Sequence, residues 1–371
     1  MRRSALYRGL LKPLPQEALS SWLVRGGRSK NYLPFLRATE CLTRHGAIDA
    51  DATLSAKVEG NLSKTLGLPV ECFQQSFPAP SDWLKMPPFR RNQVCEHCLY
   101  DDFRTDRHPA LRNTWFYWWF NVCPVHGCLL LENMSSLPPE TGFSASDALF
   151  GLLQRDVLMD HLEHLEHRYA PWYTPTTPFP WRRMNQALVP FKKLRAMALY
   201  FQHWYLRSLK RGEFVIGNIR IAATIDEWHL FMGDLLAIIG KKRSYPFDRK
   251  SYIARLLDLK SWSTLSSSFS PAGGCEPFLC VDIGEHPPKI RMAMFALLGL
   301  FLKLPGCVRV WQLGRDTMLD DRYIERFWRG MHSDADRQPS YLQWLKQRAT
   351  GWNPSIKEHF RYLLNDPSGR V

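Results

Sequence analysis

Residues 94–131 read VCEHCLYDDFRTDRHPALRNTWFYWWFNVCPVHGCLLL, and the two hooks at the ends of this stretch decide how the chain folds. Cys95 and Cys98 form a C-x2-C knuckle, and Cys123 and His126 form a C-P-x-H knuckle after a gap of 24 residues. A two-residue spacer lets both donors of a knuckle reach one ion while backbone N–H groups fold back on the sulfurs. Two such hooks supply the four soft, tetrahedrally placed donors that Zn2+ prefers. Three sulfurs and one imidazole leave no open place for water. One structural zinc ion per chain is therefore expected, held by Cys95, Cys98, Cys123 and His126, with no catalytic residue. The competing reading, buried thiols of an ordinary core, is disfavoured by two hooks in tandem.

Outward from this stretch, the chain has 371 residues, 45% of them hydrophobic and 13% aromatic, enough to bury two sizeable cores. Its 49 Lys and Arg against 35 Asp and Glu give a net charge of +14, a balance that favours an anionic partner such as nucleic acid. Nine cysteines, three of them in metal hooks, fit a reducing cytosol better than a disulfide framework. The longest apolar run, Met292–Leu302, is too short to cross a bilayer and reads as a buried helix, so a cytoplasmic protein is expected. No glycine loop for nucleotide phosphates and no acidic triad stands out, which argues against an ATPase or a transposase.

Upstream, Pro15 and Glu17 suit a helix first turn, with Leu19, Trp22 and Leu23 on its apolar face and Gly26-Gly27 as its end. Tyr32, Phe35 and Leu36 begin a second helix. Residues 61–76 outline a helix, a turn at Gly67 and a short helix, either a helix-turn-helix or a packed corner without clustered cations. Between the hooks, Trp115–Phe120 is expected to pack as core rather than to stack nucleic-acid bases. Arg112 is expected to pair with Asp102 and brace the loop.

These residues together resemble the zinc-containing domain of the TniQ/TnsD family, target-selection factors of Tn7-like and Tn5053-like transposons. That pattern runs C-P-x-C-L-x-x-D, then R-x-x-W, then C-P-x-H-x-x-x-L. Cys95, Cys98, Leu99, Asp102, Arg112, Trp115, Cys123, Pro124, His126 and Leu130 fill it, with no proline inside the first knuckle. The family opening P-x-x-x-E-S-L-x-S-W-L-x-R is matched by Pro13, Glu17, Leu19, Ser21, Trp22, Leu23 and Arg25, with Ala18 in place of the serine. Many members carry a second C-P-x-C pair after Leu131; here ENMSSLPPE follows, so one zinc is assigned.

A Pro-, Gly- and Ser-bearing linker at 137–145 places a domain boundary near 147. His161, His164 and His167 read as a solvated helix face rather than a metal site. A basic and aromatic stretch then begins: Arg182, Arg183, Lys192, Lys193 and Arg195, continuing to Arg207, Lys210 and Arg211, interleaved with Tyr200, Phe201, Trp204 and Tyr205. A long helix here would bury the rings and aim the cations at a phosphate backbone or a ribonucleoprotein. Lys241, Lys242 and Arg243 form a further basic cluster. Residues 249–269 are a second helix-turn-helix candidate, with Lys260 at its turn and Ser263 and Thr264 on its second helix. Residues 289–304 and 321–350 read as helices. Cys275, Cys280, Cys307 and His286 are too poorly spaced for a second metal site.

The expected fold is mainly α: an N-terminal helical domain, 1–146, with an embedded zinc-finger module at 94–131, and a basic all-helical domain, 147–371, with helix-turn-helix-like elements. The resemblance implies a non-enzymatic transposition adaptor, nucleoid-associated and a homodimer. It would bind DNA or a CRISPR RNA-guided Cascade complex and recruit a TnsC-like AAA+ regulator, which activates the transposase. The alternative is a zinc-finger, helix-turn-helix transcriptional regulator.

Overall fold

The computed structural model describes residues 7, 9–45, 49–51, 54–78, 81–105, 108–132, 191–240, 283, 284, 286, 288–312 and 347–361. The linker at 137–145, the boundary near 147, the histidines of 161–167, the helix-turn-helix candidate at 249–269 and most of 321–350 lie outside these residues. The chain divides into two compact units, Met1–Trp172 and Tyr173–Val371, and the described residues are mainly helical.

In the first unit α1 (Leu19–Gly27) and α2 (Leu33–Arg44) pack through apolar residues at helical spacing: Leu19, Trp22 and Leu23 against Phe35, Ala38 and Leu42. The helices can close because Gly26 carries no side chain. A Cβ there would stand 2.2 Å from the Phe35 ring. Gly26 lies inside α1 and the helix ends one residue later, so its role is close approach and not termination. Trp22 meets Phe35 edge-on at 5.0 Å and donates its indole N–H to the Leu11 carbonyl at 2.8 Å.

Helix α3 (Ala56–Leu66) is capped by the Ser55 hydroxyl, which accepts from the Val58 N–H. It stops at Gly67, whose left-handed φ of 64° lets the Leu68 N–H return to the Ser63 carbonyl at 3.0 Å. Helix α4 (Val70–Ser76) follows after Pro69 and buries Phe73 in the same core. Its outward residues Glu71, Gln74 and Gln75 include no cation, and Gln74 is tied to Glu59 at 2.7 Å. The second helix of the pair thus presents no cation to a phosphate backbone, while α3 exposes Lys57 and Lys64.

The knuckle module is built on these helices. A two-residue antiparallel ladder pairs β1 (Gln93–Val94) with β2 (Leu131–Glu132), and α5 (Glu96–Arg104) leaves the end of β1. Trp115, Phe116, Tyr117, Trp118, Trp119 and Phe120 are all buried, so the rings are core and not a stacking surface. The second unit has its own core around α6 (Phe191–Arg211), followed by a minimal hairpin of β3 (Val215–Ile216) and β4 (Ile219–Arg220), α7 (Ile225–Gly240), α8 (Pro288–Phe301) and α9 (Pro305–Gln312). Helix α8 is buried on every side and packs along α6, with Phe295 5.4 Å from Phe201. It bends by 104° into α9, and among the described residues no single helix is long and apolar enough to cross a membrane. Helix α10 (Pro354–His359) is capped by Asn353. Asp234 on α7 anchors the segment before it, accepting from Arg348 and the Trp352 indole at 2.8 Å each.

Candidate functional site

Each knuckle is placed by local backbone geometry. Cys95 stands at the N-cap of α5 in extended conformation and Cys98 follows in its first turn, so both thiols look the same way. In the second knuckle the Gly127 N–H returns to the Cys123 carbonyl and the Cys123 N–H donates to the Cys128 carbonyl, both at 2.8 Å. Gly127 has φ +62°, the left-handed value that this tight return requires and that a side chain would strain.

The structure brings Cys95, Cys98, Cys123 and His126 together, their donor atoms all within 4.8 Å of one another. His126 Nδ1 lies 3.4 Å from Cys95 Sγ, 3.3 Å from Cys98 Sγ and 3.6 Å from Cys123 Sγ, and Cys98 Sγ lies 3.6 Å from Cys123 Sγ. Zn–S bonds of about 2.3 Å and a Zn–N bond of about 2.0 Å give a tetrahedron with edges of about 3.5–3.8 Å. The donors are thus spaced almost as one ion would hold them. The three sulfurs are buried and the imidazole is half-buried, so the cluster can hold a metal ion with no place kept for substrate. The clustered thiols divide their protons unequally: hydrogen bonds from Cys128, Cys95 and Cys98 pull the Cys123 thiol below its ordinary pKa, and the same contacts push the other three up.

The supporting residues explain the spacing of the motif. Asp101, one helical turn beyond Cys98, accepts from His126 Nε2 at 3.0 Å; this fixes the ring so that Nδ1 faces the sulfurs. Asp102 points the other way. It takes Arg112 Nη2 at 2.8 and 2.9 Å and the Ala110 N–H at 3.1 Å, pinning the loop between the hooks as expected. That loop is also tied to α1: the Ala18 N–H donates to the Leu111 carbonyl at 2.9 Å, and the Leu111 N–H to the Ser21 hydroxyl at 2.9 Å. Glu17 is not in the helix first turn. It sits ahead of the N-cap, bridges Arg112 through the backbone, and holds Arg25 through buried contacts of 2.6 and 2.7 Å.

Sequence reasoning misses Asp101 and Cys128. Two adjacent aspartates look alike in a string, and helix phase alone separates them. Cys128 lies beyond the C-P-x-H hook, two residues after His126, and only its closeness to the other thiols marks it out.

Of the candidate nucleic-acid contacts, Lys192 is exposed on α6, whereas the Lys193 ammonium is buried with no hydrogen-bond partner and Arg195 is half-buried and engaged. Arg207, Lys210 and Arg211 are exposed farther along. Arg182, Arg183, Lys241, Lys242, Arg243, Lys260, Ser263 and Thr264 lie outside the described residues. Cys307 is buried against α6 with Sγ 3.4 Å from the Met197 carbonyl, while Cys275 and Cys280 are also outside the described residues.

A family model described as TniQ matches residues 10–130, from the segment before α1 to just past the second knuckle. No curated protein and no solved structure matches the chain. The matched residues contain both knuckles, the Asp102–Arg112 brace and the helices they are tied to, and over this N-terminal stretch, about a third of its length, the chain is similar to the TniQ family.

Proposed function

We propose that the protein is a zinc-stapled adaptor that selects target sites in transposition by binding, without catalysis. The observation that carries this reading is the TniQ match over the same residues that build the knuckle cluster. Zinc is the ion of choice because three thiolates and an imidazole in a closed tetrahedral array suit it better than a hard cation. In this reading the ion locks the loop carrying Leu111 and Arg112 onto α1, and so fixes the surface that a partner meets. The partners proposed are a TnsC-like AAA+ regulator and either duplex DNA or a CRISPR RNA-guided Cascade complex, with a homodimer as the working assembly.

Helix α6 supplies the best-supported anionic contact. Its 21 residues include six Lys and Arg and no acid. At about 100° per residue, Lys192, His203, Arg207 and Lys210 fall within roughly a 60° arc over about 27 Å of helix. All four are exposed. Such a stripe follows a phosphate backbone without reading bases.

Binding of the purified chain to duplex DNA across a salt series, with and without an RNA-guided surveillance complex, tests the proposal. Tight, sequence-dependent binding to naked duplex makes the chain a direct site reader. Weak naked-DNA binding with stable co-migration on the guided complex makes it an adaptor that leaves sequence reading to the guide. Failure to associate with either, or with the regulator, overturns it.

A further inference from the structure

The metal cluster has one donor too many. Cys128 Sγ lies 3.5 Å from Cys95 Sγ, the same separation that joins the other donors. A tetrahedral ion has four places, which Cys95, Cys98, Cys123 and His126 fill, and Cys128 stands at their edge against Cys95 as a fifth candidate donor. The five differ in how they are held. The sulfurs of Cys95, Cys98 and Cys123 form the buried floor. His126 closes the cluster from the solvent side, and its anchor Asp101 has a side chain 62% exposed. Cys128 waits beside the floor on the opposite limb of the same knuckle, half-buried, its carbonyl fixed by the Cys123 N–H.

We propose that Cys128 is an exchangeable ligand of the metal centre, taking the fourth coordination place when the His126 imidazole leaves it. This rests on the centre being a metal site, as proposed above. In the exchange the metal–Nδ1 bond breaks and a metal–Sγ bond forms. The Cys128 thiol proton passes to solvent, the imidazole departs neutral, and no electron changes hands. A soft ion such as Zn2+ accepts thiolate in place of imidazole without changing geometry. The exchange adds one negative charge to the cluster and releases His126, still beside Asp101, towards solvent. The knuckle thus has two closed states that differ in surface charge and in the position of one ring. A partner docking on this face can select between them.

The test uses the full chain as wild type, His126→Ala, Cys128→Ser and the double variant. Zinc per chain is measured after purification, and the thiolate-to-cobalt charge-transfer band after cobalt substitution. Wild type and Cys128→Ser are expected to hold one ion each. His126→Ala is expected to fold and keep its ion, with the cobalt band rising in proportion from three sulfurs to four. The double variant is expected to lose the ion. Several results overturn the proposal: His126→Ala that loses zinc as fully as the double variant or does not fold, an unchanged cobalt band in His126→Ala, or a double variant that keeps its ion. A wild-type chain without zinc removes the metal centre itself, and this inference with it.

Discussion

At the residue scale the clearest structural commitment is the Asp102–Arg112 pair. Both side chains are largely buried, and Asp102 has only the Ala110 N–H besides the guanidinium. Removing one member of a buried pair leaves the other charge desolvated, which typically costs about 3–5 kcal/mol, and water reaching the cut edge keeps this case near 3. Arg112→Ala is therefore expected to shift the denaturant midpoint down and to speed metal release to a chelator. An unchanged metal-release curve removes the brace from the centre. A second residue sets a pH dependence in the other unit. Burial holds the His229 imidazole down at about 4, with the Tyr205 hydroxyl 2.8 Å from Nε2. The unfolded chain protonates this ring near 6.5 and the folded chain does so only near 4. The contribution is fully present above pH 6.5 and is lost as pH falls towards 4. It amounts to about 2 kcal/mol after allowance for solvent screening. His229→Gln should flatten the difference in melting temperature between pH 7 and pH 4.5; an equal slope in both proteins refutes the assignment.

At the element scale, what is legible in the sequence is what local spacing decides. Both hooks are contiguous, so their donors converge whatever the rest of the chain does. The apolar faces of α1 and α3 follow from period 3.6. What stays hidden depends on phase or on residues far away in the chain. Glu17 is a good first-turn residue by type, yet Arg25, two turns on, and the loop at Arg112 draw it out of the helix. Gly26 looks like a stop signal, and only the position of the Phe35 ring reveals a packing role. In the basic stretch, helix phase divides Lys192 from Lys193: one ammonium faces out and its neighbour is buried. The test of α6 must therefore use its outer arc. Replacing Lys192, Arg207 and Lys210 together with Gln is expected to lower affinity for duplex DNA or the guided complex. The salt dependence should flatten by about 3 in the log–log slope, because each phosphate that a cation no longer neutralises removes about 0.9. The fold should be unaffected, because all three side chains are exposed. An unchanged slope takes α6 out of the interface.

At the scale of the whole molecule the two units gain their stability differently, which metal removal can expose. The second unit rests on an apolar core of helices, with α8 buried on all sides and Asp234 tying the 347–361 segment to α7. The first unit has a helical core of its own, but its knuckle module has only a two-residue ladder and α5 for regular structure. Its aromatic segment is held through the 84–86 segment and the knuckles, with the Met86 N–H on the Phe116 carbonyl at 2.8 Å and the Trp118 N–H on the Leu84 carbonyl at 2.9 Å. A structural zinc contributes on the order of 10–16 kcal/mol in small metal modules, which matches or exceeds the whole stability of a typical domain. Cys98→Ser, or chelation of the wild type, is therefore expected to release Trp115, Trp118 and Trp119 to water, red-shift their fluorescence and abolish the melting transition of the first unit. The second unit contains no part of the cluster, and its transition should persist at the same temperature. The intact protein is thus expected to melt in two steps and the zinc-free protein in one, with Zn2+ restored to the chelated wild type recovering the missing step. A Cys98→Ser chain that lacks zinc yet keeps both transitions would show that the cluster is a passenger on a fold that stands without it.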